Sequence, residues 1–217
     1  MKTHVVVCAG MCAVAAACTG CSSLIKQRTP PVQYYQLDYA APAASTAPGS
    51  SALLLVRPFR ISPAYDRDAI TYTDTNMRAG LYTYSQWIAS PAELVTARIV
   101  RDLQASGVVG GVLAAGAVQQ PDFILYGMVE ELGEQRTATG ACGVVTLQCT
   151  LARARKGLRA RAGTDAPAAI VFQRSYTARQ PCEAGTPASV AAAVSTALQT
   201  VSARLQDDIA AAAREMR

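Results

Sequence analysis

Histidine is almost missing from this sequence: the single one, His4, stands at the fourth position. A chain with no histidine beyond that point has no Ser-His-Asp or Cys-His catalytic system and no histidine-containing zinc site. Charge is also scarce, at 16% of residues, and the cationic excess is only +5. That balance lacks the concentrated basic stripe of a nucleic-acid surface, so neither DNA nor RNA is an expected partner. Absent too are a G-x-S-x-G elbow, a Walker loop, a G-x-G-x-x-G turn and a calcium-loop pattern. With no catalytic motif left, no enzyme activity and no cofactor is expected. The longest apolar run, Val5 to Cys18, falls short of the roughly 18 residues a spanning helix needs.

That run is informative for what flanks it. A weakly basic Met1-Lys2-Thr3-His4 precedes it, and Cys18-Thr19-Gly20-Cys21-Ser22-Ser23 closes it. Small residues before a cysteine are what lipoprotein signal peptidase requires, so residues 1–20 read as a signal peptide and Cys21 as the lipidated first residue of the mature chain. Lipoboxes usually carry Leu where Cys18 stands. Cleavage before Cys18, an ordinary secretory signal and an uncleaved anchor are the alternatives. Each buried methylene contributes about 0.8 kcal/mol, so the two or three acyl chains of a bacterial lipoprotein make a permanent anchor. Ser22 replaces the Asp that favours inner-membrane retention in enteric Gram-negative bacteria, which points to the periplasmic leaflet of the outer membrane. Residues 21–31, mostly polar and ending in Pro30-Pro31, read as a tether, and residues 32–217 as one domain.

Of the seven cysteines, Cys142, Cys149 and Cys182 remain for the domain once the signal is removed and Cys21 is acylated. The periplasm is oxidising and permits a bridge. Cys142 and Cys149 fall in one strand about 23 Å apart, too far to pair. A return loop centred near Ala162 would set Cys142 opposite Cys182, the expected disulfide; a register slip of one would leave all three thiols free.

Strands are expected at Gln33 to Tyr39 and at Ala52 to Phe59, whose continuous Leu53-Leu54-Leu55-Val56 predicts burial on both faces. Ala69 to Thr73 and Leu81 to Ile88 form a hairpin pattern. Ser90-Pro91-Ala92-Glu93 combines a capping residue, a proline at the first helical position and a glutamate three after the cap, so a helix starts there, with Leu94, Ala97, Val100 and Leu103 as its apolar stripe and Gly107 as its stop. Three longer strands follow at 122–132, 144–154 and 168–178. Thr186-Pro187-Ala188 opens a last helix whose stripe is Val190, Val194, Leu198, Val201, Leu205 and Ile209. The fold class is thus α/β (α+β): a mixed sheet with a mid-chain helix and a long C-terminal amphipathic helix packed on it, an α/β sandwich.

Surface candidates are fewer. Arg155 and Arg159 belong to the densest basic cluster, 153–161, which could meet anionic lipid heads or simply be a solvated hairpin tip. Glu130, Glu131 and Glu134 read as surface charges. Aromatics gather in the first half as Tyr34, Tyr35, Tyr39, Tyr65, Tyr72, Tyr82, Tyr84 and Trp87, of which Tyr82, Tyr84 and Trp87 are candidates for partner or lipid contact, with sheet packing the alternative.

The order of several short pieces carries a resemblance: Tyr34-Tyr35-Gln36-Leu37, then Leu54-Leu55-Val56-Arg57-Pro58-Phe59-Arg60-Ile61-Ser62-Pro63-Ala64-Tyr65-Asp66, then Ile70-Thr71-Tyr72, then Tyr84-Ser85-Gln86-Trp87. Behind a lipidated N-terminus, this order resembles the ABC-type transport auxiliary lipoproteins, the PqiC-like family. The chain departs from that pattern where Ile88-Ala89-Ser90 follow the tryptophan. The resemblance implies a non-enzymatic outer-membrane lipoprotein working with an inner-membrane ABC transporter and an MCE-domain protein in lipid transport between membranes. Self-association stays open. The alternatives are an assembly lipoprotein of another envelope or secretion complex and an anchored lipid-binding protein.

Overall fold

The structure, a computed structural model, describes residues 29–44, 50–113, 119–155 and 167–215. The chain divides into two units, Met1–Pro31 and Val32–Arg217. Of the first, only residues 29–31 are described, and they form neither helix nor strand. Among the described residues of the second, nine strands and two helices follow one another as β1 (Gln33–Tyr35), β2 (Leu53–Val56), β3 (Arg60–Ile61), β4 (Ala69–Thr73), β5 (Ala79–Trp87), α1 (Pro91–Ser106), β6 (Gly111–Leu113), β7 (Phe123–Thr137), β8 (Gly140–Ala154), β9 (Pro167–Cys182) and α2 (Pro187–Arg214). The expected mixed sheet with two helices is what forms.

The long strand β7 organises the sheet. Along one edge it pairs in parallel with β2, β3 and β4 in succession, Leu54 facing Phe123, Arg60 facing Met128 and Tyr72 facing Glu134. Along its other edge it pairs antiparallel with β8, which in turn pairs with β9. β4 continues antiparallel to β5, β5 parallel to β1, and β2 parallel to β6. The 2-residue and 3-residue strands β3 and β6 escape sequence reading because two or three residues show no period.

α2 packs on β7, β8 and β9, and α1 packs on α2, β3 and β6. The six stripe residues of α2, Val190 through Ile209, are all fully buried as expected. Their burial contributes on the order of 10 kcal/mol before conformational entropy is subtracted. The helix comes down onto the backbone of β8: a Cβ on Gly143 would lie 2.7 Å from the Val194 nitrogen, so only glycine admits this approach. Leu54 and Val56 face the helices in the main core, while the intervening Leu55 is buried with Ile124 and Ala152 on the other side of the sheet, as the continuous apolar run of β2 predicts.

α1 begins at Pro91 and ends at Gly107, which takes the left-handed conformation at φ 64°. Ser90 occupies the cap position without a side-chain cap bond. The buried face differs from the expected stripe. It consists of Val95, Ile99, Asp102, Leu103 and Ser106, whereas Leu94 and Val100 lie at its rim and Ala97 is exposed. A strict i+3 series falls back about 60° per step on a 3.6-residue helix, so it wanders off any single face.

Candidate functional site

Cys21 and Arg159 lie outside the described residues. Arg155 is exposed just beyond the end of β8. The three aromatic candidates of β5 separate. Trp87 is 3% exposed and belongs to the core, which overturns its assignment as a contact residue: alternation puts it, with Ser85, on the face turned toward the helices. Tyr82 is half-buried and committed to an internal cluster, and Tyr84 is 41% exposed on the sheet's outer face.

The cluster around Tyr82 is built on Glu134, only 2% exposed despite its reading as a surface charge. β7 carries it onto the helix-facing side opposite Gly143. Its Oε1 accepts from Arg136 Nε at 3.1 Å and from the Gly185 amide at 3.2 Å; its Oε2 accepts from Arg136 Nη2 at 3.1 Å and from the Tyr82 hydroxyl. Arg136 also donates to the Tyr82 oxygen at 2.7 Å, and its guanidinium lies 4.0 Å from the centre of the Tyr72 ring. Burial first, and then the hydrogen bond to Glu134, push the Tyr82 hydroxyl up to about 12, which keeps it a donor at any ordinary pH.

A second cluster joins both helices to the segment after β1. Asp102 of α1 is 1% exposed. Its Oδ2 accepts from the Tyr39 hydroxyl at 2.8 Å and from Ser202 Oγ of α2 at 2.6 Å, while its Oδ1 accepts from Arg101 Nη2 at 2.8 Å. Arg101 reaches the Tyr39 carbonyl at 2.9 Å and stacks on its ring, and Gln206 donates to Ser202 Oγ at 3.0 Å. Burial, reinforced by Asp102, raises the Tyr39 hydroxyl well above the usual tyrosine range. A smaller group on the α2–β9 surface links Arg174 and Tyr176 to Asp208; burial works to raise the Asp208 carboxyl, but hydrogen bonds from Tyr176 and Arg174 outweigh it and hold the group below its ordinary value.

Both buried carboxylates are saturated with donors and closed to solvent. They therefore serve as interior staples, since a catalytic acid or base must reach its substrate. Among the described residues, no three His, Cys, Asp or Glu side chains gather where a metal ion could be held.

The cysteines require a correction. Cys142, Cys149 and Cys182 are free thiols. Beyond the register shifts at Leu151/Ala152 and Arg153/Ala154, the β8–β9 ladder stands one residue short of the expected pairing, and Cys142 faces Pro181 while Cys182 faces Ala141. An offset of one sends the two side chains to opposite faces of the sheet, and the expected disulfide does not form. Cys142 instead lines a shallow recess of about 350 Å³ with Thr137, Thr139, Arg179 and Pro181. Burial raises the pKa of all three thiols, that of Cys149 to about 12. Protein isolated without reductant is expected to take up maleimide slowly at Cys142 and Cys182 and at Cys149 only after denaturation. A peptide map showing Cys142 bridged to Cys182 would reverse this assignment.

The family model described as "ABC-type transport auxiliary lipoprotein component" matches residues 35–206. Among solved structures, a Xanthomonas campestris protein of the DUF330 family model is 19% identical with a TM-score of 0.69, covering 84% of this chain and 98% of that one. A second crystal structure, of an uncharacterised protein, is 14% identical with a TM-score of 0.53 and covers 87% and 100% of the two chains. These two likenesses show the fold. No curated protein matches the chain.

Proposed function

Since the chain belongs to the ABC-type transport auxiliary lipoprotein components, we propose that it is a non-catalytic docking or stabilising component of an MCE-type intermembrane lipid transport system, anchored in the periplasmic leaflet of the outer membrane through Cys21. The family match over residues 35–206 carries this reading. The export signal ending at Cys21 and the Ser22 that follows support the location. The lack of histidine beyond His4, and the closure of both buried carboxylate clusters, support a role in contact over one in chemistry. The partners are an MCE-domain protein and, through it, the ABC transporter.

In intact cells, crosslinking followed by affinity purification of the wild-type lipoprotein is expected to recover the MCE-domain protein, and the Cys21→Ser variant is expected to lose it along with outer-membrane fractionation. Recovery of secretion-machinery components in place of the MCE protein would turn the assignment toward an assembly lipoprotein. Wild-type protein that fractionates with the outer membrane but captures no MCE protein would end the docking role while leaving the anchor intact.

A further inference from the structure

The outer face of the β1–β5 edge, away from both helices, carries an exposed apolar group. β1 pairs in parallel with β5, Tyr34 opposite Gln86 and Tyr35 opposite Trp87. The pairing extends to Ile88, whose amide donates to the Tyr35 carbonyl at 2.8 Å. Tyr35 and Trp87 turn inward to the core. Alternation then sends Val32, Tyr34, Tyr84 and Ile88 to the opposite face, where they are 40%, 61%, 41% and 62% exposed. Such a group, without a charged side chain among its four members, is unusual for a surface that meets only water.

We propose that this face lies against the lipid bilayer to which the chain is tethered, an inference that rests on acylation of Cys21. Where the tether ends decides the occupant. Only ten residues, Ser22 to Pro31, separate Cys21 from Val32. Fully extended they span at most about 36 Å, so the patch, which starts at Val32 itself, is never farther than that from the bilayer surface. Confinement at that range makes even a weak surface affinity effective, because the second contact is intramolecular. The tether adds Lys26 and Arg28 and no acidic residue, a bias toward anionic headgroups. The composition suits the headgroup zone: tyrosines place a ring in the apolar layer and a hydroxyl in water, and Val32 and Ile88 supply apolar area beside them. With this face down, the helices and the β8–β9 end of the sheet are left free for a protein partner.

The test uses the full lipidated chain in phosphatidylethanolamine/phosphatidylglycerol vesicles, carrying Cys142→Ser and Cys182→Ser and a bimane-labelled cysteine at Tyr34→Cys, Tyr84→Cys or, as control, Met77→Cys, a position 83% exposed in the β4–β5 turn. Labels at 34 and 84 are expected to be quenched by nitroxide lipids and to be about five-fold less sensitive to iodide than the label at 77, as for side chains seated in the interface. Hydroxyl-radical footprinting of the unlabelled wild-type chain on the same vesicles gives a variant-free reading, with Tyr34 and Tyr84 protected and Met77 oxidised. Iodide sensitivity at 34 and 84 equal to that at 77, on protein that floats with the vesicles, overturns the inference while leaving the anchor standing. Protection from both quenchers overturns it in favour of a second copy or another protein on this face. Wild-type protein that fails to float with the vesicles removes the anchor and this inference together.

Discussion

Asp102→Ala is expected to lower the unfolding free energy by about 3–5 kcal/mol, the usual cost of removing one partner from a buried charged cluster. For a domain of this size that corresponds to a fall in Tm of roughly 10 °C. The loss strands three donors at once. The Tyr39 hydroxyl and Ser202 Oγ both give their hydrogen bonds to Oδ2, and Arg101 gives its to Oδ1. Ser202 is buried and has only Gln206 left beside it; Tyr39 is held by the Arg101 stack and has no other acceptor for its hydroxyl among its described bonds. The three groups come from the segment after β1, from α1 and from α2, so the damage extends to how the helices meet. Tyr39→Phe, which removes one donor and leaves the carboxylate served by the others, is expected to cost only about 1 kcal/mol. Thermal unfolding of both variants by circular dichroism checks the pair, and a Tm change under about 2 °C for Asp102→Ala would show that the cluster is not a staple.

Glu134→Ala should be next in size, at about 2–4 kcal/mol. The carboxylate is enclosed, but its main partner Arg136 keeps 29% of its side chain exposed and can recover part of its solvation. What cannot be recovered is geometry. Glu134 ties the Gly185 amide, in the turn before α2, to the sheet at β7. Removing it frees that turn as well as the Tyr82 hydroxyl. Hydrogen exchange is therefore expected to rise selectively at residues 183–189, beyond the general increase that follows from lower stability. Glu134→Gln is not a rescue, because its amide nitrogen would have to face one of the donors that the carboxylate accepts. If exchange in that turn stays at the wild-type rate while stability falls, the turn is held by other contacts and the assigned role of Glu134 is wrong.

The helix C-terminal to β9 is readable at residue level, since six aliphatics at i, i+4, i+8 spacing over many turns make one apolar face, for which burial on the chain's own sheet is the simplest reading beside a membrane or a partner. The first helix was readable as an element through Pro91 and Gly107, but its phase was not, because Leu94, Ala97, Val100 and Leu103 mimic a stripe while Asp102, on the true face, looks like a solvent residue. Polar residues disguise a core position whenever their partners come from distant sequence. Tyr39 and Ser202 are such partners for Asp102, and Tyr82 and Gly185 are for Glu134. Trp87 and Tyr84, three residues apart in one strand, went to opposite faces, and only their neighbours Tyr35 and Tyr34 in β1 show which is which.

The export signal, the apolar runs of β2 and α2, the helix starts at Pro91 and Pro187 and the lack of catalytic residues are local properties of the chain, so the sequence alone determined the fold class, the family resemblance and the expectation of an anchored, non-enzymatic protein. Register, faces and long-range partners are not local. A β8–β9 register one residue short set Cys142 opposite Pro181 and not opposite Cys182, a return of three strands along one edge of β7 built the sheet's centre, and β1–β5 pairing exposed Tyr34 beside Tyr84. These were decided by tertiary structure, because a side chain's direction in a sheet changes with every residue and a displacement of one position reverses it.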